Sequence, residues 1–79
     1  MLIQKKSQAA LEKLLHSESL GDRSPQNLFN IGSAYLDLER FKEAKAKLDD
    51  ALAINPAMAA ANVNKGLAEH SLMLSLIHI

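Results

Sequence analysis

A chain of 79 residues has room for one small domain, whose core is marginal unless neighbouring structure extends it. Nine basic and nine acidic side chains cancel, so the composition gives no bulk attraction to nucleic acid or to an anionic membrane. The absence of cysteine excludes disulfides and thiolate metal sites, and a content of 48% hydrophobic but only 4% aromatic residues is typical of helices packed through Leu and Ala.

The first predicted element is a helix over residues 2–16. Its apolar band consists of Ile3, Ala10, Leu11, Leu14 and Leu15. Residues 17–24 have no periodicity and are predicted to form a loop, in which Gly21 ends the first helix. Ser24 and Pro25 predict the start of the next helix, with the Ser side chain as N-cap and Pro at the first helical position.

Residues 25–58 contain two amphipathic helical patterns. The first places Leu28, Ile31, Tyr35 and Leu38 on one face, and the second does so with Phe41, Ala44, Leu48, Ala51 and Leu52. Only Glu39 and Arg40 separate the patterns, so the two helices are expected to fold back on each other as a hairpin. Gly32 and Ala44 are small and should let the two backbones approach closely.

The charged residues of the second pattern alternate in sign. Lysines at 42, 45 and 47 are interleaved with acidic residues at 43, 49 and 50, which predicts a solvated helix face rather than a basic patch. Glu43 and Lys47 stand one turn apart and are expected to form a weak ion pair.

The order of residue types in 25–58 resembles the tetratricopeptide repeat, a helix-turn-helix unit of 34 residues. The matching positions are Leu28, Ile31, Gly32, Tyr35, Phe41, Ala44, Leu48, Ala51 and Pro56. Glu39 departs from the pattern, because the family commonly has Gly there, and the conformation of the turn stays open. The resemblance implies an all-α fold of antiparallel helix-turn-helix repeats, an α-solenoid fragment of about four helices within residues 1–73.

The resemblance makes the first predicted helix the second helix of an upstream repeat. A strict 34-residue register aligns Ala10 and Leu14 with Ala44 and Leu48. A register with a small insertion in the following loop suits Leu14 and Leu15 better. Both registers remain open at the level of the sequence.

Residues 59–73 are predicted to be the first or capping helix of the next repeat. Four pairs of identical residues stand 34 positions apart: Asn30 and Asn64, Gly32 and Gly66, Ala34 and Ala68, Leu38 and Leu72. Asn62, Lys65 and Glu69 replace apolar positions, which fits a helix that covers the preceding repeat and turns its other side to water. Residues 74–79 resemble a translated sequencing adapter, which predicts a non-native tail on a fragment of a longer protein.

Residues for catalysis are not grouped in the sequence. The three histidines are scattered, and Glu69 and His70 are adjacent, so they point to different helix faces and form no metal pair. The three glycines are isolated and make no phosphate loop. We therefore expect no enzyme activity, no cofactor and no metal in this segment. No signal peptide or membrane-spanning stretch is seen, which favours the cytoplasm without fixing a location.

Arrays of the resembled family bind peptides in a concave groove lined by their first helices. The resemblance implies that the groove candidates are Gln26, Phe29, Asn30, Ser33, Leu36, Asp37 and Asn64. Asn30 is the preferred polar contact, because an amide both donates to and accepts from a peptide backbone, and Asn64 repeats it. The alternatives are amides bonded to their own neighbours and a Phe29 packed on the first helix. Phe29 and Ser33 replace the Lys and Asn of the family's carboxylate clamp, which disfavours that ligand.

Two classes of function follow. The first is a scaffold that binds a peptide segment of a partner protein. The second is an accessory domain of a larger enzyme, such as a transferase or peptidase, whose catalytic part lies outside the segment. Binding of RNA ranks third, because the charge is balanced and Tyr35 belongs to the apolar stripe.

Overall fold

The structure, a computed structural model, describes the backbone of residues 2–77 and the side-chain surroundings of residues 6–74. Four α-helices follow one another: α1 Leu2–Ser19, α2 Pro25–Asp37, α3 Phe41–Ile54 and α4 Ala59–Ile77. No strand occurs within 2–77, and the all-α prediction of about four helices is confirmed. α1 and α4 run beyond their predicted ends at 16 and 73. The side chains of Ile3 and of residues 75–79 in the predicted tail lie outside the described ones.

The start of α2 is fixed by the cap that the sequence predicts. Ser24 has an extended backbone, and its Oγ accepts a hydrogen bond from the backbone N–H of Asn27 at 3.3 Å, with Pro25 at the first helical position. The Asn27 side chain donates through Nδ2 to the carbonyl of Asp22 at 2.7 Å. The loop between α1 and α2 is thereby tied to the first turn of α2.

Two helices end in the same hydrogen-bonded motif. Gly21 after α1 and Glu39 after α2 both have positive φ, at 106° and 60°. After α1, the N–H of Gly21 donates to the carbonyl of Glu18, and the N–H of Asp22 donates to that of Ser17. After α2, the N–H of Glu39 donates to the carbonyl of Leu36, and the N–H of Arg40 donates to that of Tyr35. This pattern is the Schellman motif, which satisfies carbonyls left free at a helix end. The turn that the sequence left open therefore has left-handed geometry despite its glutamate.

The α2–α3 hairpin holds the centre of the core. Leu28, Ile31 and Leu48 are the largest fully buried side chains, and Ile31 clusters with Tyr35 and Ala44. A Cβ atom placed on Gly32 would lie 2.8 Å from Cγ of Leu48 and 3.3 Å from the carbonyl oxygen of Ala44. The predicted close approach at Gly32 is therefore confirmed.

α1 packs on α2 through a different line from the one that strict register requires. Ser7 and Leu11 are buried, whereas Ala10 is exposed. Strict register pairs Ala10 with Ala44, and these two residues differ in burial. The burial of Ser7 and Leu11 is repeated 37 positions later at Ala44 and Leu48, which corresponds to the register with an insertion, here of three residues.

Lys47 forms its ion pair with a different helix, whereas other pairs lie along α3 itself, such as Nζ of Lys45 with Oδ2 of Asp49 at 3.5 Å. Nζ of Lys47 lies 2.7 Å and 2.8 Å from the two carboxylate oxygens of Glu18 on α1, so the expected pair with Glu43 is wrong. Glu43 instead contacts Arg40, at 2.8 Å. Lys47 has a long side chain, and the carboxylate on α1 offers it a less exposed partner than Glu43 on the outer surface of its own helix.

A second set of ion pairs joins α3 to α4. Nζ of Lys65 lies 2.8 Å from Oδ1 of Asp49, and Nζ of Lys45 lies 4.0 Å from Oε2 of Glu69. From the Lys45–Glu69 pair to the Asp49–Lys65 pair, the chain advances four residues on α3 and goes back four on α4, so the two helices are antiparallel. Of the three polar residues that replace apolar ones on α4, Lys65 and Glu69 thus contact α3. Asn62 takes no part in these ion pairs between the described residues of α3 and α4.

Candidate functional site

The candidate residues on α2 and α4 form one surface. Nδ2 of Asn64 on α4 donates a hydrogen bond to Oγ of Ser33 on α2 at 3.0 Å. Residues 29, 30 and 33 share one side of α2, because positions three and four apart lie next to each other on a helix. We call the surface made by Gln26, Phe29, Asn30, Ser33, Val63, Asn64 and Leu67 the α2–α4 face.

The two asparagines of this face already have partners within the chain. Asn64 donates to Ser33, and Oδ1 of Asn30 accepts from Nε2 of Gln26 at 3.4 Å. The alternative in which these amides bond neighbouring residues is thus observed for one hydrogen bond of each asparagine. A primary amide offers two donor hydrogens and two acceptor lone pairs, so one internal bond leaves each side chain with hydrogen-bonding capacity.

Two other predicted residues contribute to the fold beside the face. Oδ2 of Asp37 accepts a hydrogen bond at 3.2 Å from Oγ of Ser7, which is buried on α1. Leu36 is half-buried and packs against the core cluster. Phe29 is half-buried and Gln26 is exposed. The structure thus groups Gln26, Phe29, Asn30, Ser33 and Asn64, and it places Leu36 against the core cluster and Asp37 in a hydrogen bond to α1.

Two apolar residues of the face were not among the predicted candidates. The side chains of Val63 and Leu67 are 63% and 55% exposed on α4. Leu67 lies one turn after Asn64, and Val63 lies one turn before Leu67, so both fall beside the hydrogen bond to Ser33. The signal that could have found them is the 34-residue spacing, which aligns Val63 with Phe29 and Leu67 with Ser33.

The face is almost free of charge. The only charged residues of α4 are Lys65 and Glu69, and both turn to α3. The hydrogen bond from Lys65 holds the pKa of Asp49 below its usual value, against the opposing effect of burial. The same carboxylate raises the pKa of the Lys65 ammonium. The charged residues of α4 therefore lie at its contact with α3, and the α2–α4 face presents apolar, amide and hydroxyl groups.

Among the residues that the structure describes, no group of three His, Asp or Glu side chains is arranged to hold a metal ion. No helix within residues 2–77 combines the length and the apolar character needed to cross a bilayer.

No protein-family model matches the sequence, and searches of curated proteins and of solved structures gave no match either. The four packed helices are compatible with a fragment of a helical repeat protein.

Proposed function

We propose that this chain is a tetratricopeptide-type segment that binds a peptide segment of a partner protein on its α2–α4 face. The observation that carries the proposal is the hydrogen bond between Asn64 and Ser33. It joins candidate residues from two helices that stand one repeat apart in the sequence into a single surface.

The packing of α2 supports this choice of surface. α2 contacts α1, α3 and α4, and its buried residues face those three helices. Of the predicted set on α2, Gln26 and Asp37 are exposed, and Phe29, Asn30 and Ser33 are half-buried beside Gln26. A half-buried aromatic ring next to amides offers a ligand both apolar area and hydrogen bonds.

The chemistry of the face favours binding over catalysis. It presents amides, one hydroxyl and apolar side chains, whereas general acid–base or nucleophilic chemistry needs a titratable group activated by a neighbour. We therefore propose a scaffold role for this segment. The groups of the face suit a polypeptide ligand, whose backbone and apolar side chains they complement.

The test uses the doubly substituted chain Phe29→Ala, Asn30→Ala. Peptides are first selected on the unsubstituted chain from a displayed library of random sequences, and their affinities are measured by fluorescence anisotropy. We expect the double substitution to weaken the selected peptides by about tenfold or more, equivalent to about 1.4 kcal/mol, with helicity by circular dichroism unchanged.

The matched control is Asn62→Ala on α4, an exposed residue outside the α2–α4 face, which should leave affinity unchanged. A Leu28→Ala chain, truncated in the core, should lose binding and helicity together. The proposal fails if the double substitution binds normally, or if it loses helicity in proportion to binding.

A further inference from the structure

A single carboxylate lies at one end of the proposed binding surface. Four polar residues of α2 follow one another at steps of four, three and four, which places them on one side of the helix. We call them the α2 polar line: Gln26, Asn30, Ser33 and Asp37. Asp37 is exposed and is the only charged member of the line. The residue 34 positions later, on α4, is Ser71, so the charge is not repeated.

The position of Asp37 is unfavourable for the helix that carries it. A helix has a partial negative charge at its C-terminal end, which basic side chains stabilise and acidic side chains do not. Asp37 is the last residue of α2, and the last turn of this helix contains no basic residue. Glu39 adds a second exposed carboxylate two residues further on. Negative charge is therefore concentrated at this end of α2, at a cost to the stability of the helix.

The cation nearest in the sequence has other partners. Nη2 of Arg40 lies 2.8 Å from Oε2 of Glu43, and Cζ of Arg40 lies 5.3 Å from the centre of the Tyr35 ring. Among the side chains of residues 6–74, no Lys or Arg forms an ion pair with Asp37. The described part of the chain thus gives this carboxylate no counter-charge.

Asp37 does have one hydrogen-bond donor within the chain. The hydroxyl of Ser7, which is buried on α1, donates to Oδ2 of Asp37 at 3.2 Å. The bond restrains the carboxylate relative to α1 and α2. A carboxylate has about four acceptor positions on its two oxygens, so one hydrogen bond leaves most of its capacity for a ligand.

We infer that Asp37 binds a lysine or arginine side chain of the peptide ligand, at one position of the ligand's sequence. The inference rests on the proposed function and names a chemical group of its ligand. The cationic group meets a restrained carboxylate and the negative end of α2 together. Because the face carries this charge only once, the pair also fixes the register of the ligand on α2.

The experiment starts from peptides that are selected on the unsubstituted chain from the displayed library. We expect Lys or Arg to be enriched at one position among them. Replacing that residue by Gln in a labelled peptide should weaken binding about three- to fivefold in fluorescence anisotropy, as expected for an exposed ion pair. Added salt should reduce the difference between the two peptides.

Asp37→Asn separates the charge from the contact with α1, because an amide oxygen still accepts a hydrogen bond from Ser7. This variant should weaken the basic peptide by the same factor and leave the affinity of the Gln peptide unchanged. Its urea midpoint should equal or exceed that of the parent, since a negative charge is removed from a helix C-terminus. Glu39→Gln is the matched control, which removes an equal charge outside the α2 polar line and should leave affinity nearly unchanged.

Charge reversal gives a second readout that does not depend on stability. Asp37→Lys should weaken the basic peptide by about tenfold or more, because like charges then face each other. A peptide with Glu at the selected position should bind this variant better than it binds the parent chain. Circular dichroism of the variant checks that helicity is retained.

The outcomes separate this inference from the proposed function. Selected peptides that have no enriched basic position, or a basic peptide that binds Asp37→Asn as tightly as the parent, would overturn the inference and leave peptide binding intact. An equal loss for the Lys and Gln peptides on Asp37→Asn would give Asp37 a structural role only and would also overturn the inference. A library that yields no binder would overturn the proposed function and the inference with it.

Discussion

Glu39 occupies a backbone conformation that glycine adopts at lower cost. Its φ of 60° lies in the left-handed region, where a Cβ atom crowds the following carbonyl. Gly21 fills the equivalent place in the motif that ends α1, with φ of 106°. The same hydrogen bonds thus close both helices, once with the residue that suits the motif and once with a residue that is strained in it.

Glu39→Gly is therefore expected to stabilise the chain by about 0.5–1 kcal/mol, since relief of the strain exceeds the added flexibility of the unfolded chain. Urea denaturation followed by circular dichroism measures the change. Gly21→Ala is the reciprocal variant and should destabilise the chain. A Glu39→Gly chain that unfolds earlier than the parent would contradict the left-handed turn.

Gly32 and Gly66 stand at equivalent positions 34 residues apart but have different surroundings. A Cβ on Gly32 meets the buried Leu48, whereas a Cβ on Gly66 meets nothing within 4 Å. Gly66→Ala should gain roughly 0.5–1 kcal/mol of stability from helix propensity alone. Gly32→Ala should instead lose roughly 1–3 kcal/mol, because overpacking outweighs propensity. Denaturant midpoints of the two single variants test this difference, and equal shifts would contradict the close approach of α2 and α3.

Spacing alone predicted the residues that pack in the hairpin, because a helix brings positions three and four apart to one side. It did not predict the partner of Lys47, Glu18, because Glu18 lies 29 residues away on another helix and spacing within one helix gives no information about such a pair. Nor did it identify Val63 and Leu67, because their exposure depends on where α4 lies against α2 and α3.

At the scale of elements, α3 and α4 are held in register by charge as well as by apolar contact. Asp49 accepts from Lys65, and Lys45 lies near Glu69 on the same side. The lowered pKa of Asp49 means that its contribution to stability is present above its unfolded value near 3.8 and is lost as pH falls through the folded value. The raised pKa of Lys65 means that its contribution is present below 10.5 and is lost as pH rises through the folded value.

Asp49→Asn should accordingly destabilise the chain by a small, constant amount between about pH 5 and pH 9, and this difference should shrink as pH falls below 3.8 and through the lowered pKa of the folded chain. Urea midpoints measured across this range give the difference between the two chains. Added salt should reduce it, because the pair is partly exposed. A difference that persists at the acidic end would show that Asp49 acts through packing rather than charge.

The sequence anticipated each helix but not how far each one extends. Periodicity located α2 and α3 closely, because a Ser–Pro start, a two-residue break and an Asn–Pro end mark their limits. α1 ends three residues later than predicted, at Ser19 before the turn at Gly21, and α4 continues past its predicted end at residue 73. The register of α1 also needed the structure, because Leu11, Leu14 and Leu15 allow more than one line of contact.

For the molecule as a whole, α2 is the helix that contacts each of the other three. α1, α3 and α4 all contact it, and the face that it leaves free is the proposed binding surface. The structure is flat, with extents of 39 × 32 × 17 Å, so little of the chain lies far from solvent. We therefore expect the isolated chain to have low stability, since a core of this size is marginal.

Amide hydrogen exchange of the isolated chain, resolved by residue, tests the central place of α2 most directly. The slowest exchange should occur at Ile31, Tyr35, Ala44 and Leu48, with faster exchange in α1 and in the second half of α4. The α2–α4 face forms only if α2 is packed stably against its neighbouring helices. Slower amide exchange in α1 than in α2 would contradict the account. So would exchange at Ile31 and Tyr35 as fast as in an unfolded peptide.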